Sequence, residues 1–225
     1  MSPRRSEPDR QHAPDGSPVG LYLAIGTMGE PELIRSVIPA GAEVLDLGAG
    51  VGRIAHALVA LGHPVTAVDD SPEMLRHVRG ARTVLSKIED LDLGRRFDCV
   101  LLMSNLVNAA KAATRRGLLR ACRRHVAADG VVLIERYDPK LELAPGTHTG
   151  TYGDLRVAVE RSGAGRRTYT RLTYEHPDGR IWHQEVWGAP RVLDDDAMRA
   201  ALAQARLRLA RTFGPKRRWC LARPV

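Results

Sequence analysis

Two carboxylates at the ends of apolar runs, the first followed by glycines on alternate positions, are the residues of this chain best placed to do chemistry. Val44-Leu45-Asp46-Leu47 leads into Gly48-Ala49-Gly50-Val51-Gly52-Arg53. That is the pattern of a buried strand, a glycine turn and a helix start. Glycine there lets the backbone turn sharply and lets a ligand approach the main chain without meeting a Cβ. The run departs from the GxGxxG dinucleotide fingerprint, because Arg53 stands where the third glycine would fall. A carboxylate just before the turn repels a pyrophosphate but suits an ammonium group or ribose hydroxyls. The second acidic end, Ala67-Val68-Asp69-Asp70, follows about 20 residues on.

In this order and spacing the two motifs resemble the class I (Rossmann-like) S-adenosylmethionine-dependent methyltransferases of small-molecule type. The resemblance implies that Asp46, Gly48, Ala49, Gly50 and Gly52 cradle the cofactor and that Asp69, with Asp70 beside it, receives the ribose hydroxyls. Ile88 would pocket the adenine and Glu89 would bond its edge, although Lys87 stands where many members carry an acidic residue. In the family an N-terminal helical segment covers the cofactor, which makes Tyr22 a contact. Ser104-Asn105-Leu106-Val107-Asn108 follows the fourth strand, where methyl transfer takes place in the family. Ser104 falls to the cofactor there, and Asn105 and Asn108 either bind substrate or cap the next helix. The segment is neither the Asn/Asp-Pro-Pro-Tyr/Phe tetrapeptide of amino-methylating nucleic-acid enzymes nor a site for a cysteine nucleophile, since Cys99 lies inside the strand.

The elements that must position these residues follow from hydrophobic periodicity. Helical segments are predicted on either side of Gly26-Thr27-Met28-Gly29, with Pro31 near a helix start. Strands are predicted at 42–47, 65–68, 82–85, 97–103 and 131–135, alternating with helices at 52–61, 73–80 and 114–125. Ser71 is the expected N-cap of the second of these helices, with Pro72 at its first position. Such alternation gives parallel strands joined by crossovers. Beyond Tyr137 the pattern changes: 139–153 reads as loop, and His176-Pro177-Asp178-Gly179 joins two alternating strands as a hairpin. A helix at 194–204 and strands at 207–213 and 218–222 close the chain. The expected fold is α/β: a doubly wound, mostly parallel seven-stranded Rossmann-like sheet with an antiparallel hairpin insert, about 139–190, near the C-terminus. Residues 1–18, polar and rich in Pro, Arg, Asp and Ser, read as a disordered tail before a domain of 19–225. The insert holds two of the three tryptophans in a chain with 4% aromatic residues, which marks His148, Tyr152 and Trp182 as substrate candidates. His148, His176, His183 and Glu185 are candidate bases, and no spacing selects one of them.

Composition bounds the rest. A length of 225 residues suits one domain with an insert. No apolar run is long enough to cross a bilayer. Cys99, Cys122 and Cys220 are odd in number and have no metal-ligand spacing, which fits reduced thiols in a cytoplasmic protein. The net charge of +8 is spread over arginine-rich stretches without interleaved aromatics. The expected activity is methyl transfer from S-adenosylmethionine to an N, O or C nucleophile of a small molecule. An RNA or protein methyltransferase using the basic surface, a cofactor-binding protein that transfers no methyl and a hydride-transferring enzyme are the alternatives.

Overall fold

A computed structural model describes residues 11–225. The order of elements is α1 (Val19–Ala24), α2 (Glu30–Arg35), β1 (Val44–Leu47), α3 (Arg53–Ala60), β2 (Val65–Asp69), α4 (Pro72–Leu75), β3 (Arg82–Leu85), β4 (Phe97–Leu102), α5 (Ala112–His125) and β5 (Val126–Glu135). Then come β6 (Gly146–Tyr152), β7 (Leu155–Ser162), β8 (Tyr169–Glu175), β9 (Ile181–Trp187), α6 (Asp195–Gln204), β10 (Leu207–Phe213) and β11 (Trp219–Pro224).

Seven strands form one sheet in the order β3-β2-β1-β4-β5-β11-β10. The first five run parallel. β11 runs antiparallel to both β5 and β10. The strand order reverses between β1 and β4, and crevices at such switch points receive ligands in open α/β sheets. Alternation along the strands divides the core. Leu45, Leu47, Val100, Leu102, Val132 and Ile134 pack towards α5 and α6. Val44, Ala67, Cys99, Leu101 and Leu133 pack towards α2 and α3.

The region after Tyr137 is a separate four-stranded antiparallel sheet, β6-β7-β8-β9, rather than a hairpin alone. Residues 146–152, expected in a loop, form β6, in register with β7 from Gly146↔Arg161 to Tyr152↔Leu155. The helix expected over 73–80 ends at Leu75, although Ser71 caps it as expected, its Oγ accepting from Met74 N at 3.2 Å. β5 begins at Val126, five residues early, and takes up Asp129 and Gly130 with a register shift against β4. Of the expected tail, 1–10 lies outside the described residues. Residues 11–18 instead make a closed turn in which His12 bridges Pro18 and Ser17 is buried. No helix among the described residues is long and apolar enough to cross a membrane.

Candidate functional site

The glycine turn leaves β1 at the switch point. Gly48 N and Ala49 N both donate to Val68 O, which ties the turn to the end of β2. A Cβ on Gly48 would lie 2.6 Å from Leu106 Cδ1 and force that side chain to shift, and the positive φ of 75° favours glycine there as well. Gly50 also has positive φ (57°), but its nearest neighbour to a built Cβ is Met74 Sδ at 4.0 Å. The main chain at Gly50 is thus open to an approaching group.

Two carboxylates flank this opening. Asp69 Oδ2 accepts from Gly50 N at 2.8 Å and Oδ1 from Ser71 N at 3.0 Å. The carboxylate locks turn to strand and keeps lone pairs for hydroxyl donors. Burial raises its pKa, and the bonds from Gly50 and Ser71 oppose the rise. Asp46 is only 2% exposed, and its Oδ2 is buried without a partner. Desolvation pushes its pKa up to about 7; the charge of Arg53 pulls it down and that of Asp69 adds to the rise. A buried acceptor left unmatched is costly, and a cationic donor from a ligand would satisfy it.

Around them stand residues with no motif of their own. Arg53, the residue in place of a third glycine, pairs with Glu30 at 2.6 Å, with both side chains largely buried at 12% and 6% exposure. Its Nη1 also donates to Gly26 O. Glu135, at the end of β5, accepts from Ser104 N at 2.9 Å and pairs with Arg218 at 2.5 Å. It thereby fixes the loop after β4, where Ser104 and Asn105 both have positive φ (54° and 59°). Tyr22, Tyr137, Tyr152 and Tyr174 complete the surround. Burial raises the pKa of each, Tyr152 to about 12, and the four phenols act on one another electrostatically. Sequence alone does not reveal Glu30–Arg53, whose members lie on separate helices. Glu135 does carry a signal: it is the third carboxylate at a parallel strand's C-terminal end.

The structure brings Tyr22, Asp46, Gly48, Ala49, Gly50, Gly52, Asp69, Ile88 and Ser104 to this rim. Ile88 Cδ1 lies 3.6 Å from a Cβ built on Gly48. Tyr22 packs both beside Val51 and Met74 and against the antiparallel sheet. Asp70 and Glu89 are placed differently: both are exposed, and Glu89 leans over Gly117 of α5. Asn108 is 1% exposed and fully engaged, with Nδ2 donating to Arg191 O and Oδ1 accepting from Tyr137 N. It is a tie between loops. Asn105 keeps a buried, unpartnered Oδ1 beside the rim loop. Tyr152 faces the rim charges, whereas Trp182 is buried in the contact between the antiparallel sheet and α1. His148 is exposed on β6. His183 and Glu185 lie on the outer face of β9, bonded to Thr173 and Arg171. His176 sits in the hairpin turn against Asp178.

Residues 44–130 match a family described as "Methyltransferase domain". That stretch of the chain is thus similar to a methyltransferase domain. An uncharacterized methyltransferase of Mycobacterium tuberculosis is 48% identical over 67 residues, 29% of this chain and 28% of that protein. The match thus spans little more than a quarter of that relative's length. A solved S-adenosylmethionine-dependent methyltransferase from Clostridium acetobutylicum superposes with a TM-score of 0.71 at 15% identity, covering 91% of this chain and 94% of that one. The S-adenosylmethionine-bound amino pentose methyltransferase CalS10 of Micromonospora echinaspora gives 0.67 at 22% identity, covering 92% and 95%. The chain therefore shares the fold of these structures over most of its length. Among the described residues no group of His, Cys, Asp and Glu could hold a metal ion.

Proposed function

We propose that this chain transfers a methyl group from S-adenosylmethionine to a nucleophile on a small molecule, with an amine nitrogen as the favoured acceptor. The observation that carries the reading is Asp46: a buried carboxylate with an unpartnered oxygen, beside an open glycine backbone and a second carboxylate at the end of β2. Those features fit the cofactor's ammonium group and ribose hydroxyls. When bound, the cofactor supplies an electrophilic methyl carbon on its sulfonium.

The residues of the chain bind and align. Asp46 would hold the ammonium and Asp69 the ribose, Gly50 would admit the cofactor to the main chain, and Ile88 with Gly48 would bound its base. Glu135 keeps the Ser104–Asn105 loop rigid where the acceptor must approach, so the gain is one of orientation. The candidate bases His148, His176, His183 and Glu185 lie in the antiparallel sheet or its hairpin turn, away from the glycine turn. An amine attacks unaided once deprotonated, whereas a hydroxyl or carbon benefits from a base in reach. That contrast, and the amino pentose enzyme among the structural neighbours, support nitrogen. The four largely buried tyrosines beside the rim support a metabolite over a macromolecule, and a cytoplasmic location is proposed with it.

Calorimetric titration with S-adenosylhomocysteine, with NAD as control, tests the cofactor. Saturable binding of the first alone is the expected result, and binding of neither would overturn the proposal. A panel of amino sugars and hydroxylated analogues, followed by mass spectrometry for a single methyl gain, tests the acceptor. Methylation of hydroxyls alone would overturn the nitrogen assignment.

A further inference from the structure

The strand ends opposite the glycine turn carry a cavity of about 460 Å³, lined by Arg96, Arg120, Arg123, Arg124 and Arg206 with Gln204. Topology gathers them. α5 leaves the C-terminal end of β4 and runs back along the sheet, so its last turn reaches the edge where β4 begins at Phe97 and β5 at Val126. β10 lies antiparallel to β11, which lies antiparallel to β5, so β10 starts at this same edge. α6 ends at Gln204, just before β10. Three segments distant in sequence therefore converge their guanidinium groups on one space, a full strand length from the methyl-transfer rim.

The charge there is not balanced from within. Two helix C-termini point to this edge, each equivalent to roughly half a negative charge, which offsets about one arginine. None of the ion pairs between described residues includes any of the five. Arg96 donates to Val126 O at 3.2 Å and Arg124 to Leu91 O, both neutral acceptors. Arg123 Nε is buried without an acceptor. Asp92, the carboxylate acting on the neighbouring His125, uses Oδ1 to accept from Gly94 N. Planar guanidinium forks with free donors match phosphoryl oxygens two at a time.

We propose that this cavity binds the diphosphate group of a small molecule, at a site separate from methyl transfer. The arginines gather around one open depression and are not laid out as a track, and no aromatic side chain lines it on which a base could stack. Both features favour a compact anion over a nucleic-acid strand. The volume leaves room beside the diphosphate for the group that carries it.

Calorimetric titration of the full chain with inorganic pyrophosphate, at about 50 mM salt so that screening is modest, tests the site. Saturable one-to-one binding is expected, with orthophosphate bound about tenfold more weakly because it offers fewer paired oxygens. The double variant R120Q/R123Q should weaken pyrophosphate binding by about tenfold or more. It leaves in place Arg96 and Arg124, which bond backbone carbonyls, and its melting curve reports whether it folds. If it does not fold, R120Q alone, at an exposed position, gives the same readout with a smaller loss. Saturating S-adenosylhomocysteine should leave pyrophosphate affinity unchanged. No binding of pyrophosphate, or equal binding by wild type and variant, would overturn the proposal. Tighter binding of a single-stranded RNA oligomer than of pyrophosphate, lost in the same variant, would also overturn it and make the arginines a nucleic-acid surface.

Discussion

Asp46 shows how one buried carboxylate can couple folding, pH and ligand. Its pKa of about 7 lies above the ordinary aspartate value of 3.8 because burial opposes the charge. A carboxylate raised in this way contributes stability that is fully present below about pH 4 and is lost as pH rises through about 7. Asp46→Asn removes the titration. Urea unfolding of the ligand-free proteins should then show the variant gaining on the wild type between pH 4 and 7, the window set by those two values. A flat difference across that window would mean that Asp46 titrates normally. Ligand binding runs the other way, since an ammonium needs the ionised partner. S-adenosylhomocysteine affinity should fall by about tenfold per pH unit below about 7 in wild type and lose that slope in Asp46→Asn. Asp69→Ala removes both the proposed ribose acceptor and the anchor of Gly50 N. Calorimetry should show cofactor affinity weakened by about 1.5–3 kcal/mol, the scale of charge-assisted hydrogen bonds. Unchanged affinity would place the ribose elsewhere. Gly50→Val is a poorer probe than its sequence context implies, because φ of 57° at that position strains a β-branched residue whether or not a ligand is present.

At the scale of elements, what was legible in the sequence had a local signature. The apolar runs of β1, β2 and β4 are buried almost throughout, and β1 and β2 close on the acidic residues that the turn and cap chemistry already marks. β6 had no such signature. Its residues, Gly-Thr-His-Thr-Gly-Thr-Tyr, are exposed up to Tyr152 on an edge strand, so neither face shows apolar alternation. The Arg53–Glu30 pair spans two helices, and no periodicity links residues that far apart. The same holds for Arg136, fully buried at the end of β5, whose guanidinium pairs with Asp195 at the start of α6 and donates to Leu193 O and Arg217 O. That pair seats α6 on the sheet. Asp195→Ala leaves the guanidinium buried without its counter-charge and should cost about 3 kcal/mol, read as a lowered urea midpoint at unchanged slope. A loss below about 0.5 kcal/mol, the range of ordinary surface substitutions, would show that the two carbonyls suffice.

For the whole molecule, the question is how a small antiparallel sheet affects a cofactor turn on the large one. α1 is the link. At 6 residues it is too short to be helical alone, and it is held from two sides. Val19 packs with Val51 and Met74 beside the glycine turn, while Leu21 and Ile25 pack with Leu155, Val157 and Trp182 of the antiparallel sheet. Tyr22 joins both groups, and Gln184 of β9 donates to Ser17 Oγ at 3.0 Å. The antiparallel sheet and α1 thus form a cap whose apolar cluster shares no member with the two cores of the large sheet. Trp182, 3% exposed, is the largest side chain in that cluster. Trp182→Ala should cost about 3–5 kcal/mol, confined to the cap because the cores are packed independently. Hydrogen exchange should then speed up in α1 and in β7 to β9 while β1, β4 and β5 stay protected. S-adenosylhomocysteine affinity should fall, since Tyr22 no longer has a fixed seat over the turn. Uniform loss of protection across both sheets would instead make cap and core one cooperative unit, and unchanged affinity with a loosened cap would remove α1 from the cofactor site.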